Sequence, residues 1–582
     1  MKQSMQINPP LERPLCKRVM AFISHPKMNG SQLTLLISVL LVLVYNNAFW
    51  TEILNIAADS QQNRLFLGSI FLLLVAFINL CLSLVSFRYI LKPSLLLIVF
   101  VATGAAYFMD TYGIMIDRSI IKNVLTTDVK DAVELLNVRM LFYCVLLGTI
   151  PSLLILRSEI RYKGFVRELF MVLGTVLTSL AVMVVILVIF YKDYISLGKN
   201  YNHVRHLINP VNSIYALSSN IKRSVISGKV VVRPIGEDAR MEKTWQQRGK
   251  KNLVILVVGE AARAENFSLN GYEKKTNPLL EQEEIFTFTN TSSCGTVANT
   301  SLPCMFSHFD RQSFSDSKAE RHEGLLDVLS HAGVQVLWRE NNSGCQGVCD
   351  RVETETMKAG DTQVSQAPRT AQEQPAEERL AALQAADHCD SGECQDMILL
   401  QGLQQYINAR ENDTFIVLHQ KGSYGPGYYR RSPPAFKTFL PECTTNQLQE
   451  CRTEELVNAY DNTILYTDYF LAQVIHLLKE NNSQFNTAML YLSAYGESLG
   501  EKNIYLHGLP YVIAPDEQTH VPFVLWFADS FFEENRIEES SLQRRVDDRL
   551  SHDNLFHSVL GVMGIKTEMY DKDLDIFTAR QQ

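Results

Sequence analysis

Five long apolar runs crowd the first third of this chain, at 33–50, 66–87, 95–108, 140–156 and 169–190. A helix needs roughly 20 apolar residues to cross the hydrocarbon core of a bilayer. All five runs approach that length; the third is the shortest and can be extended through 107–112. The first run starts late and further spans follow it, so it does not read as a cleavable signal peptide. Beyond residue 192 the chain changes character and reads as a polar globular domain. The composition therefore averages two regions: 47% hydrophobic and 20% charged over 582 residues, with a net charge of -8. These values exclude collagen-like, wholly disordered and small disulfide-scaffold classes. The mild acidity argues against a nucleic-acid partner, which would want a basic face.

Basic residues in the loops set the expected orientation. Lys2, Arg13, Lys17, Arg18 and Lys27 precede the first span. Arg88 and Lys92 follow the second, and Arg157, Arg161, Lys163 and Arg167 follow the fourth. The alternate loops are poor in bases (51–64) or balanced by Asp110, Asp117, Asp128, Asp131 and Glu134 (109–139). The N-terminus is expected in the cytoplasm, and five spans place everything after Tyr191 on the far side. Eight cysteines fall there as close pairs: Cys294 with Cys304, Cys345 with Cys349, Cys389 with Cys394, and Cys443 with Cys451. On an oxidising side these read as four local disulfides. Zinc ribbons are the competing reading; irregular spacing and the lack of any C-x-x-C pair weigh against them.

The expected domains are a transmembrane domain at 1–191, a polar connector at 192–250, and a soluble α/β domain at 251–582. In the last, short β-branched runs at 252–258, 334–338, 414–419, 487–492 and 521–527 alternate with helical stretches at 324–331, 396–407, 453–479 and 553–560. Strands separated by helices predict a mostly parallel sheet covered on both faces. Ligand sites of such sheets collect at the carboxyl ends of the strands. The stretch 353–387, rich in Ala, Gln, Glu and Thr, reads as an exposed insertion rather than sheet.

Four segments sit at or near strand ends: VVGEAAR with Glu260, SSCGTVANTSLPC from Ser292, HQKGSYGPGYYRRSPP from His419, and YLSAYGESLGEKNIYLHGLPY from Tyr491. With the five spans, the cysteine pairs and NNSGCQGVCDRV, these ordered segments resemble the inner-membrane phosphoethanolamine transferases that modify lipid A. That family includes the mobile colistin-resistance enzymes. The resemblance covers nearly the whole chain. It implies a catalytic domain of alkaline-phosphatase/sulfatase type, held in the periplasm by helices in a bacterial inner membrane. It also implies two-step chemistry. A zinc-bound threonine hydroxyl takes phosphoethanolamine from phosphatidylethanolamine and passes it to a lipid A phosphate. Zinc is needed there because a free hydroxyl is a poor nucleophile at neutral pH.

Carried over position by position, the family pattern is largely unfilled. Its glutamate is present as Glu260. The nucleophile position is Ala298, the Asp-His pair falls on Ala494 and Tyr495, a further histidine position is Tyr424, and the threonine after the glutamate is Ala261. The late histidine survives as His507. Zinc wants about four N, O or S ligands, and methyl groups offer no lone pair, so zinc binding is expected to be weak or absent. A missing nucleophile costs about 10⁶ in rate in a well-studied hydrolase. Thr296 and Thr300 are the candidate substitutes for the hydroxyl, with Glu497 and Glu501 near the fourth segment.

Each retained residue also has an ordinary role. Glu260 can be a polar residue satisfied at a helix start, and His419 can cap a strand or meet a backbone carbonyl. His507 can brace its turn or bind phosphate, and Arg430 and Arg431 can contact lipid phosphate or simply be solvated. The leading expectation is an inactive family member that binds phospholipid, lipid A or an active relative. The alternatives are an active transferase with a rearranged site and, on fold analogy alone, a sulfate- or phosphate-ester hydrolase.

Overall fold

The computed structural model describes residues 27–60, 64–116, 120–121, 137–162, 164–200, 202–226, 231–242, 248–342, 344–357, 389–390, 393–535 and 537–578. The chain divides into two compact units. One comprises Met1–Arg118 and Leu136–Ser219, the other Ser119–Leu135 and Asn220–Gln582.

The first unit is helical. Its elements are α1 (Gly30–Val44), α2 (Asn47–Ser60), α3 (Arg64–Leu84), α4 (Leu91–Tyr112), α5 (Val138–Arg157), α6 (Phe165–Ile189), α7 (Tyr191–Asn200) and α8 (Val211–Ile226). Among the described residues α3, α4, α5 and α6 are each long and apolar enough to cross a membrane; α1 and α2 make a fifth span only as a bent pair. The span expected at 33–50 is thus not one straight helix but a bent pair. The helix ends at Val44, and its continuation turns away by 61°.

The side chains at the bend explain how it survives in an apolar medium. Breaking a helix frees backbone groups, and without water they must be satisfied by protein. Asn46 donates from Nδ2 to the carbonyls of Leu41 at 2.9 Å and Asn209 at 2.6 Å, and accepts from Asn209 N–H at 2.8 Å. The Trp50 indole donates to the Val42 carbonyl at 2.8 Å. A second irregularity lies in α5, where Cys144–Thr149 is a π turn followed by Pro151. Proline has no N–H for the carbonyl four residues earlier, and the Tyr45 phenol donates to that Leu147 carbonyl instead. By contrast, α6 exposes most of its apolar surface, including Leu169, Phe170, Val184 and Val188, as a lipid-facing helix does.

The second unit is built on an eight-stranded sheet. In chain order its main elements are β1 (Lys251–Gly259), β2 (Ile285–Ser292), α9 (Ala298–Met305), α10 (Leu325–His331), β3 (Gln335–Glu340), β4 (Glu353–Thr356), β5 (Thr414–His419), α11 (Thr453–Glu480), β6 (Phe485–Ser493), β7 (His520–Phe527), β8 (Leu550–Ser551) and α12 (Asp553–Val562). The strand order is β8-β2-β7-β6-β1-β5-β3-β4. Only β7 runs antiparallel to its neighbours. All five expected strands are in this sheet. Three strands go beyond expectation: β2, β4 and the two-residue edge strand β8, which pairs with β2. β2 is an additional strand, unmarked in the sequence because IFTFTNTS alternates apolar and polar residues instead of forming one apolar run. The start of the expected insertion is also strand: β4 pairs with β3 as an acidic edge. Of the remainder, 358–387 lies outside the described residues.

The core follows from the central strands. Every residue of β5 and β6 is buried, as is all of β1 after Lys251, as a strand covered on both faces requires. α11 buries Leu456, Tyr460, Ile464, Leu471, Val474 and Leu478 along its length. It also anchors the loop after β1. The Asp461 carboxylate meets Lys274 at 2.8 Å and Asn266 at 2.6 Å, and the Asp468 carboxylate accepts from the backbone of Leu279 and Leu280.

All four expected cysteine pairs are disulfides: Cys294 bonds to Cys304, Cys345 to Cys349, Cys389 to Cys394, and Cys443 to Cys451. The competing zinc-ribbon reading is thereby corrected, since a sulfur in a disulfide offers no thiolate to a metal. The bond from Cys294 to Cys304 ties the end of β2 to α9, and the one from Cys443 to Cys451 closes the loop that leads into α11.

Candidate functional site

Strand register assembles the site. Gly259 of β1 pairs with Ser493 of β6, Val258 with His419 of β5, and His419 with Glu340 of β3. Parallel strands in register end together, so Glu260, the 494–495 pair, His419 and Glu340 meet at one carboxyl edge. The turn carrying Glu260 is held from two sides. The Tyr460 hydroxyl accepts from Arg263 N–H at 2.9 Å and donates to the Ala261 carbonyl at 2.8 Å. From the other side the 419–426 loop closes on it, with Ser423 N–H donating to the Glu260 carbonyl at 2.9 Å. Gly422 allows this approach. Its φ is +55°, and a Cβ there would stand 2.8 Å from the Glu260 carbonyl oxygen.

Glu260 is 2% exposed, and both its carboxylate oxygens are engaged. Oε1 accepts from the Tyr495 hydroxyl at 2.5 Å, and Oε2 lies 3.4 Å from His419 Nε2. The other ring nitrogen of His419 faces Glu340 at 3.8 Å, and Glu340 in turn accepts from the Trp338 indole at 3.1 Å. Burial pulls the His419 pKa down, but hydrogen bonds and charge from Glu260 and Glu340 outweigh it and raise it to about 9. The buried His419 ring thus lies between the carboxyl groups of Glu260 and Glu340, which favour its protonated form. Burial, then the charge of Glu260, holds the Tyr495 phenol well above its ordinary pKa. Two of the ordinary roles are corrected here: Glu260 starts no helix, and His419, which does end β5, turns its ring to carboxyl groups rather than to a backbone carbonyl.

The segment carrying Ala298 docks beside this edge. Cys294 N–H donates to His552 Nδ1 at 3.1 Å, and His552 Nε2 donates to the Ser493 carbonyl at 3.0 Å. Ser301 Oγ donates to the Ala494 carbonyl. Ala298 is the first residue of α9, and its methyl group packs against the hydrophobic core. Ala494 is fully buried in that same core. Of the candidate substitutes, Thr296 donates its hydroxyl to the Leu509 carbonyl at 2.7 Å, and Thr300 to Asn299 Oδ1 at 3.3 Å.

The fourth segment brings His507 to the same place. Its ring lies 4.6 Å from that of Tyr495 and 5.5 Å from that of Tyr424, with Nδ1 3.0 Å from Glu497 Oε1. Burial lowers the His507 pKa, and the charge and hydrogen bond of buried Glu497 more than reverse this. Glu501 accepts from Arg263 at 2.6 Å, so it braces the turn after Glu260. Arg430 lies elsewhere. Its Nε donates to the Tyr429 hydroxyl, and it lines a pocket with Cys394, Gln395, Asp396, Lys421, Gly422 and Arg431.

These residues do not fit a zinc ion. Of the positions that resemblance assigns to metal ligands, only Glu260 offers a ready donor, and both its oxygens already have partners. Among the described residues, one group of His, Cys, Asp and Glu brings three ligand atoms within 4.8 Å of one another: Cys345, Cys349 and Asp350. Its two sulfurs are joined to each other, so the group is not a metal centre. Glu340, Trp338 and Tyr460 are site residues that sequence reasoning misses. The one available signal is an acid ending an apolar strand, VLWRE.

Comparison with known proteins accords with this architecture. Residues 252–565 match the sulfatase family model, and 74–225 match the model for phosphoethanolamine transferases EptA/EptB. Phosphoethanolamine transferase EptA of Escherichia coli K12 is 39% identical, over 95% of this chain and 97% of its own. Phosphatidylethanolamine transferase Mcr-1 of Escherichia coli is 36% identical over 76% of this chain and 79% of its own. The solved structure of the integral membrane lipooligosaccharide phosphoethanolamine transferase A from Neisseria meningitidis superposes with a TM-score of 0.85 at 34% identity. It covers 95% of this chain and 99% of that one. A helical membrane unit joined to a sulfatase-type α/β unit, at this identity over nearly the full length, settles the assignment: the chain belongs to the EptA-type family of phosphoethanolamine transferases.

Proposed function

We propose that this chain is a membrane-anchored phosphoethanolamine-transferase scaffold that recognises the family's lipids without transferring the headgroup. Its N-terminus faces the cytoplasm, its α/β unit lies in the periplasm, and the anchor is in a bacterial inner membrane. Phosphatidylethanolamine and lipid A are the expected ligands, and an active relative is the expected protein partner. The reading rests on one observation: the Tyr495 phenol is bonded to Glu260, the single retained family ligand, while a methyl group occupies the family nucleophile position at Ala298. Weakening a partner that merely orients a metal ligand typically lowers metal affinity about 10–100-fold; here primary donors are absent. No hydroxyl stands at 298 to form the covalent phosphoryl intermediate, and Thr296 is turned to a backbone carbonyl. The spans, disulfides and sheet remain intact around that loss.

The test is expression in a bacterium stripped of its own transferases, followed by mass spectrometry of lipid A. The expected result is unmodified lipid A with well-expressed protein, together with retention of the detergent-solubilised chain on phosphatidylethanolamine vesicles. Modified lipid A that disappears on Thr296→Ala or Thr300→Ala would establish an active, rearranged site instead.

A further inference from the structure

We propose that Tyr495 is the residue that keeps a divalent cation out of this pocket, by seating its own hydroxyl on Glu260. The inference rests on the reading above that the pocket holds no metal, and names what enforces it. A metal site can be lost by deletion, which leaves space, or by substitution with a group that takes the ligand's partner. Ala298 and Ala494 are deletions. Tyr495 is the second kind. Its hydroxyl lies 2.5 Å from Glu260 Oε1, and zinc–carboxylate bonds are about 2.0–2.2 Å, so an ion on that oxygen must displace the phenol.

The phenol has nowhere to go. Tyr495 is 1% exposed, its ring packs on His507, and the backbone around it is pinned. Ser493 Oγ donates to the Tyr495 carbonyl at 2.9 Å, and Ala494 N–H donates to the Gly259 carbonyl at 2.8 Å. The other oxygen of Glu260 offers no easier approach. It faces His419, whose ring is wedged against Trp338 at 5.4 Å and faces Glu340 at 3.8 Å. The protein thus supplies from its own side chains the contacts a cation would otherwise make to this carboxylate. Restoring the deleted ligands while keeping Tyr495 will therefore not restore a metal site.

The experiment compares three full-length chains, purified in detergent with zinc present, desalted, and assayed by elemental analysis. They are the parent, a variant with Ala298→Thr, Ala494→Asp and Tyr424→His, and the same variant with Tyr495→His added. A further chain replaces that last change with Tyr495→Ala, in case histidine there prevents folding. The parent and the Tyr495-retaining variant are expected to carry less than roughly 0.1 zinc per chain, and the Tyr495→His variant about one. About one zinc on the Tyr495-retaining variant would overturn the role of Tyr495 and leave the proposed function standing. A folded Tyr495→His variant without zinc would overturn it too, as would a Tyr495→Ala variant no richer in zinc than the chain retaining Tyr495. About one zinc on the parent would overturn both readings.

Discussion

Replacing Tyr495 by phenylalanine tests the central bond of the site with little other disturbance. The ring stays packed against His507, 4.6 Å away, and only the hydroxyl is lost. A hydrogen bond to a charged group contributes about 1.5–3 kcal/mol, and its loss leaves a buried carboxylate oxygen without a donor. Glu260 keeps His419 on its other oxygen at 3.4 Å, so the cost falls short of that for a wholly unpaired buried charge, about 3–5 kcal/mol. The expected loss is about 2–3 kcal/mol. Because the pair is buried, raising the salt concentration leaves this loss unchanged.

A membrane protein with two compact units need not unfold in one step, so the readout should be local. Hydrogen exchange followed by mass spectrometry in detergent, on peptides spanning 252–262 and 487–499, reports opening of β1 and β6 directly. A loss of 2–3 kcal/mol corresponds to roughly 30- to 150-fold faster exchange, at about tenfold per 1.4 kcal/mol. Repeating Tyr495→Phe in a Glu260→Gln background isolates the pair, with a coupling of about 1–2 kcal/mol expected. A coupling below about 0.5 kcal/mol, within the additivity of independent sites, would refute the claim that this bond organises the pocket.

Three further outcomes follow from other parts of the fold. Burial holds the His552 pKa near 4, below its usual 6.5; this neutral ring therefore stabilises fully above pH 6.5, and the contribution fades as pH falls from 6.5 towards 4. Linkage puts the loss at about 2 kcal/mol between pH 7 and 5. Thermal unfolding against pH should show this slope, and His552→Gln should flatten it. Asn46→Leu removes the partner of the Asn209 N–H and carbonyl, and leaves the Leu41 carbonyl with the Tyr45 N–H alone. A loss of at least about 1–3 kcal/mol in detergent unfolding is expected, and an unchanged midpoint would show that the bend needs no such support. Gly422→Ala combines a φ of +55° with a Cβ 2.8 Å from the Glu260 carbonyl and should cost about 1–3 kcal/mol. Gly271→Ala, at φ +93° with open space around it, should cost less in the same melting assay.

Much of this molecule is legible in its residues because the relevant signals are local. Apolar runs mark the spans, β-branched runs mark the central strands, and the alanine at 298 is visible without a fold. Close cysteine pairs mark the disulfides, from Cys294 with Cys304, 10 residues apart, down to Cys345 with Cys349, 4 apart. What the chain does with the remaining polar groups is not legible. Glu260 and Tyr495 are 235 residues apart, and Glu260 and His419 are 159 apart; only the parallel register of β1, β5, β6 and β3 brings them together. At the break in the first apolar run Asn46 bonds to Asn209, 163 residues away, a partner that hydropathy cannot reveal. The edge strand β4 escapes notice because an edge needs only one partner and little apolar surface. A buried polar group must be satisfied, yet its own sequence neighbourhood does not say by whom, and that choice belongs to the tertiary structure alone.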